Sequence, residues 1–232
     1  MIEFIPAAEL KRKFGVFGHF YTVQVTPTMI AECRSVLEIV KTGLSLKKLI
    51  EISHRPPDAV FIMMNPGSSR PLSGVVHHLQ ARTIHELDVS LVPTKPDTTQ
   101  YQMMRLMHYC EWRHVRVLNL SDLRCPKSND FFKQFKALEA DFSFDAHSVF
   151  SDRRTDELAR KLTTGTPVIQ AWGVSPHLDP LIVRCASKLA KVGVIRGILK
   201  EGTENKFLHP LPSLQTHQME WVNRMVEQCR GS

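Results

Sequence analysis

Ala59-Val60-Phe61-Ile62-Met63-Met64-Asn65-Pro66-Gly67-Ser68-Ser69 is the stretch on which the fold turns. Its six apolar residues are too few for a buried helix and stop at turn formers, which is how a central parallel strand reads. Pro66 fixes the chain direction, Gly67 permits a close backbone approach, and Ser68 and Ser69 leave hydroxyls and amides exposed. Such a turn can hold an anion or a water. It is not a Walker loop, because the chain contains neither G-x-x-x-x-G-K-S/T nor G-x-G-x-x-G.

Further elements alternate around this strand. Upstream, residues 14–25 are aromatic and β-branched, as in an edge strand or hairpin. Residues 28–42 predict a helix closed by Gly43, with Ile30, Cys33, Val36, Leu37 and Val40 on one stripe. A shorter helix is expected over 46–52. Downstream, residues 70–96 lack clean periodicity and read as an insertion or mobile loop carrying a short helix. Helices are expected over 101–112, 131–139, 152–162, from 176 to about 190, and at the carboxyl end as far as Cys229. Strands are expected over 115–120, 167–172 and 192–199.

This alternation predicts a three-layer α/β/α sandwich with a central, mainly parallel sheet of four to five strands. Residues 1–57 form an extension packed on the core, and residues 58–232 form the main domain, interrupted at about 70–96. In such folds ligands sit beyond the carboxyl ends of the strands, where Asn65, Asn119 and Gly173 fall.

Composition narrows the function classes. The chain has 232 residues, 43% of them hydrophobic, enough for one large domain with a full core. No apolar run approaches the roughly 18 residues that cross a bilayer. The sequence MIEFIPAAELKRK places its basic cluster after the apolar residues, the reverse of a secretory signal. Five cysteines without a C-x-x-C pair suggest neither a disulfide framework nor a zinc site, so a reduced, cytoplasmic protein without membrane attachment is expected. A formal charge of +7 favours a polyanionic partner, although a merely soluble basic surface fits as well. His77, His78 and His85 could place two imidazoles on one face, yet no third ligand of suitable spacing lies close in sequence, and the i, i+3, i+6 spacing of His108, Glu111 and His114 turns the histidines to different faces. No metal is therefore expected.

The succession MMNPG at 63–67, VRVLNLSDLR at 115–124, VIQAWG at 168–173 and HPLPS at 209–213 resembles the uracil-DNA glycosylase superfamily. It is closer still to an uncharacterised bacterial and phage family with Met-x-Asn-Pro-Ser, Asn-Leu-x-x-x-Arg, Ala-Trp-Gly and His-Pro-Leu signatures. The resemblance covers residues 59–213. It implies a uracil-DNA glycosylase-like domain without cofactor that recognises a nucleobase in a nucleic acid or nucleotide, DNA before RNA. The chemistry it implies is hydrolysis of an N-glycosidic bond in DNA repair or modification. The alternative is a non-catalytic binding module on the same scaffold.

By the same resemblance Asn65 positions the attacking water, Asn119 reads a base edge, and His209 donates a hydrogen bond to the departing base. Gly67 and Trp172 border the base, although Trp172 also reads as core. Ser68, Arg124 and Ser213 are candidate phosphate ligands. Arg124 equally fits an internal pair, since a buried Arg needs a partner. Asp97 reads as a helix N-cap or, because an amide is a poor base, as the general base. Asn65-Pro66-Gly67-Ser68 stands where the fast branch of the uracil-DNA glycosylase superfamily has Asp-Pro-Tyr-His, and Leu211 where that branch has a phosphate-gripping Ser.

Overall fold

A computed structural model describes residues 2–43, 51–52, 54–73, 76–190 and 193–230. Among them, eight strands form one sheet in the order β4-β1-β2-β6-β3-β7-β8, with β5 paired to β1. The strands are β1 Phe14–Thr26, β2 Met29–Lys41, β3 Ala59–Met63, β4 His77–Gln80, β5 Val92–Pro93, β6 His114–Asn119, β7 Val168–Gln170 and β8 Ile195–Arg196. β2 and β5 run against the other six, and β6, β3, β7 and β8 are mutually parallel.

The run at 59–63 is apolar throughout because both its faces are covered. Val60 and Ile62 enter one core with α3 (Ser128–Phe142) and α5 (Asp179–Leu189). Ala59, Phe61 and Met63 enter the other with α1 (Ala7–Lys13), α2 (Thr98–Tyr109) and α6 (Gln215–Arg230). Helices thus lie on both faces of a mostly parallel sheet, and the period-2 orientation of side chains assigns successive residues to opposite layers.

The helix expected over 28–42 is instead strand β2, paired antiparallel with β1 and β6. Two effects disguised it. From Arg34 to Val40 the strand is buried on both faces, which removes the polar alternation. In addition, Phe20 pairs with Arg34 and His19 with Val36, so Ser35 is an extra residue that shifts the phase of the strand. That shift places buried Cys33, Val36, Leu37 and Val40 at intervals that imitate a helical stripe, while Ile30 stays 63% exposed. β1 is interior rather than an edge, flanked by β2 on one side and by β4 and β5 on the other.

Residues 70–96 also extend the sheet, contributing β4, a 3-10 turn at Ala81–Glu86, and β5. Together with β2 they raise the strand number above the four or five expected. One sheet therefore runs through both 1–57 and 58–232. Most of the helix expected over 46–52, and residue 192 of the expected strand at 192–199, lie outside the described residues. The other elements fall where the periodicity places them, with shifted ends; α4 is Thr155–Lys161, preceded by a 3-10 turn. Among the described residues no helix is long and apolar enough to cross a membrane.

Candidate functional site at the strand ends

The cavity of interest, about 130 Å³, opens where β3 and β6 end and α2 begins. Its polar lining is Arg34, Asn65, Asp97, Thr99, Gln100, Asn119 and His209, with Gly67 beside them and Leu37, Met63, Met103 and Val117 as apolar walls. An engineered cavity of roughly 150 Å³ accepts benzene, so this one has the capacity of a single ring.

Each polar group is held by a different element. Asn65 leaves β3 and donates through Nδ2 to the carbonyls of Leu123 at 3.2 Å and Cys125 at 2.7 Å. Its Oδ1 has no protein donor among the described residues and can accept from a water. After it the chain reverses through a turn closed by Ser69 N–H donating to the Pro66 carbonyl at 3.2 Å. Gly67 occupies the left-handed region at φ +59°, with open space where a Cβ would stand.

Asn119, at the end of β6, is wholly buried. The hydrogen-bond network assigns its amide so that Nδ2 donates to the Asn65 carbonyl at 3.2 Å and Oδ1 accepts from Arg34 Nη2 at 3.1 Å. One N–H and one lone pair remain. Asp97 caps α2 in a reciprocal box: Oδ1 accepts from Gln100 N–H at 2.9 Å, and Asp97 N–H donates to Gln100 Oε1 at 3.3 Å. Oδ2 accepts from Gln100 Nε2 at 3.2 Å.

His209 sits on the loop after β8. That loop is pinned by Leu208 N–H donating to Ile198 O at 2.8 Å, Trp221 Nε1 to Leu208 O at 3.1 Å, and Gln102 Nε2 to Pro210 O at 3.1 Å. Burial pushes the imidazole down to about 4. His209 Nδ1 accepts from Leu211 N–H at 3.1 Å, so the neutral ring carries its proton on Nε2. The contact uses only the backbone of Leu211, so the identity of that side chain does not matter to it. On its other side His209 borders an apolar hollow of about 440 Å³ lined by Ile198, Leu208, Pro212 and Trp221.

Five residues singled out from sequence therefore meet in one place: Asn65, Gly67, Asp97, Asn119 and His209. Four do not. Trp172 belongs to the core, 2% exposed, its Nε1 donating to Asn205 O and its ring against the edge of Phe207. Arg124 is engaged internally, with Nε donating to Ser69 O at 2.6 Å and Nη1 on Glu32 at 2.9 Å. Ser68 is exposed outside the cavity, and Ser213 lines a separate surface hollow with Tyr101 and Arg105.

Among the polar lining residues that the sequence reading did not assign to the site are Arg34 and Gln100. Arg34 was hidden by the helical reading of β2. Gln100 was legible, since Asp97-Thr98-Thr99-Gln100 matches the capping-box pattern. Among the described residues, no three or more His, Cys, Asp or Glu side chains are arranged to hold a metal ion. Comparisons with protein-family models, curated proteins and solved structures find no match.

Proposed function

We propose that the strand-end cavity is a nucleobase pocket and that the chain is a glycosylase-like hydrolase of N-glycosidic bonds, acting on a base extruded from DNA. The observation that carries this reading is the convergence of Asn65, Asn119 and His209, distant in sequence, on one hollow of single-ring size. Extrusion is how enzymes reach a base otherwise inside a duplex.

In the reaction the C1′–N bond breaks and its electron pair leaves with the base. Neutral His209 donates its Nε2 proton in a hydrogen bond to the oxygen where that charge gathers. Asn65 Oδ1 accepts from the incoming water and orients it, and the water oxygen bonds to C1′ of the oxocarbenium-like sugar. Asp97 is the carboxylate on the lining that could receive the proton the water loses.

One feature favours a second reading, recognition without cleavage. Both Asp97 oxygens already accept hydrogen bonds from Gln100, which weakens Asp97 as a base. A panel of oligonucleotides carrying uracil, hypoxanthine, oxidised and bulky pyrimidines separates the two. Strand breakage after alkali marks the enzyme, and retention without breakage marks the binder. The variant His209→Ala should abolish cleavage while the chain stays folded; unchanged turnover on the best substrate removes the assignment.

A further inference from the structure

The inner wall of the cavity carries a cation that the glycosylase reading leaves unused. Arg34 is 3% exposed, donates through Nη2 to Asn119 Oδ1, and leaves Nε without a partner. Among the described residues no Asp or Glu oxygen lies within ion-pair distance of it. Of the other three buried arginines, two are paired with carboxylates. Arg116 Nε meets Glu38 at 2.7 Å, and Arg154 meets Asp122 at 2.6 Å and Glu157 at 2.7 Å. Arg105 donates to the Ile5 carbonyl and to Gln102 Oε1, so among the arginines of the described residues Arg34 alone keeps a buried nitrogen without a partner.

A buried charge without a counterion is destabilising, so an anion that pairs with it is favoured. Burial draws the guanidinium down to about 10 in spite of the fields of Asp97 and Asp122, so it is still cationic at neutral pH. Arg presents donors and no acceptor, so an amino group facing it is disfavoured and a carboxylate is matched. Leu37, Met63, Met103 and Val117 supply faces for a flat ring, which a bare phosphate would leave unused.

We propose that the cavity selects an acidic single-ring base, a pyrimidine bearing a carboxylate, whose anionic oxygens lie against Arg34. This rests on the nucleobase reading and names the ligand class within it. Arg34 occupies β2 at the residue before the bulge, and the extra Ser35 lets both Arg34 and Leu37 face the cavity although they are three residues apart.

The test is calorimetric titration of the full chain with orotate, uracil, cytosine, benzoate and inorganic phosphate. Orotate should bind at least tenfold more tightly than uracil, and Arg34→Gln, which keeps a donor for Asn119, should erase that difference. Arg34→Lys should retain part of it. Equal affinity for orotate and uracil, or a preference that survives Arg34→Gln, overturns the proposal and leaves the nucleobase reading standing. Arg34-dependent binding of benzoate without any pyrimidine overturns the nucleobase reading and with it the assignment of a pyrimidine. Tightest binding of phosphate overturns the flat-ring ligand. Should Arg34→Gln fail to fold by circular dichroism, the ranking of ligands on the unaltered chain decides alone.

Discussion

His209 shows how one backbone contact can set the chemistry of a side chain. The Leu211 amide fixes the tautomer, and burial keeps the ring uncharged. Folded His209 titrates near 4 against an ordinary 6.5, so between those values the unfolded chain takes up a proton that the folded chain refuses. Stability should therefore fall as pH drops through this window, by at most about 3 kcal/mol from this residue, and level off below it. Urea midpoints near pH 7 and near pH 4.5 should differ less in His209→Asn than in the parent. Comparing variant with parent matters because burial also pushes His19 down to about 3, and its contribution is common to both. Asp97 admits a similar separation of roles. Losing the cap in Asp97→Ala should cost about 1 kcal/mol, while Asp97→Asn should keep most of it. Cleavage lost in the Asn variant at near-parental stability would assign proton transfer to Asp97; full cleavage would leave it a cap.

At the level of elements, the parallel strands were legible and the hairpin was not. The buried runs at 59–63 and 115–119 announce themselves because strands covered on both faces are apolar without alternation. Their ends fall at Asn65 and Asn119, so most of the cavity could be located from sequence. β2 failed the same test because a single inserted residue and a pair of internal charges, Arg34 and Glu38, broke its period. Only the partner strands reveal that Glu38 faces Arg116. The loop carrying His209 depends on a further local detail at Gly197, φ +152°, where an added Cβ would lie 2.6 Å from both the Gln170 carbonyl and the Phe207 ring. Gly197→Ala should destabilise the chain by about 1–3 kcal/mol and loosen ligand binding through displacement of 207–209, checked by thermal melting alongside titration.

Across the whole molecule, charge is handled by a buried network under the opposite face of the sheet. Asp122 accepts from Tyr21 Oη at 2.8 Å and from Arg154 at 2.6 Å, and Arg154 in turn grips Glu157, which also holds Lys161. Arg154→Met should cost roughly 3–5 kcal/mol in urea unfolding, because it strands the Asp122 carboxylate in the interior and leaves Glu157 with Lys161 alone. A double variant that joins Arg154→Met to Asp122→Leu should recover much of the loss, since Glu157 keeps Lys161, and a mild single effect would show that water reaches the network. The hairpin β1–β2 ties this network to the cavity, since Tyr21 and Arg34 belong to its two strands. Cutting the chain ahead of β3 would therefore do more than trim an appendage. It would bare the flank of β6, strip the hollow of its positive pole, and leave a remnant whose surviving histidine and asparagines surround the wrong electrostatics.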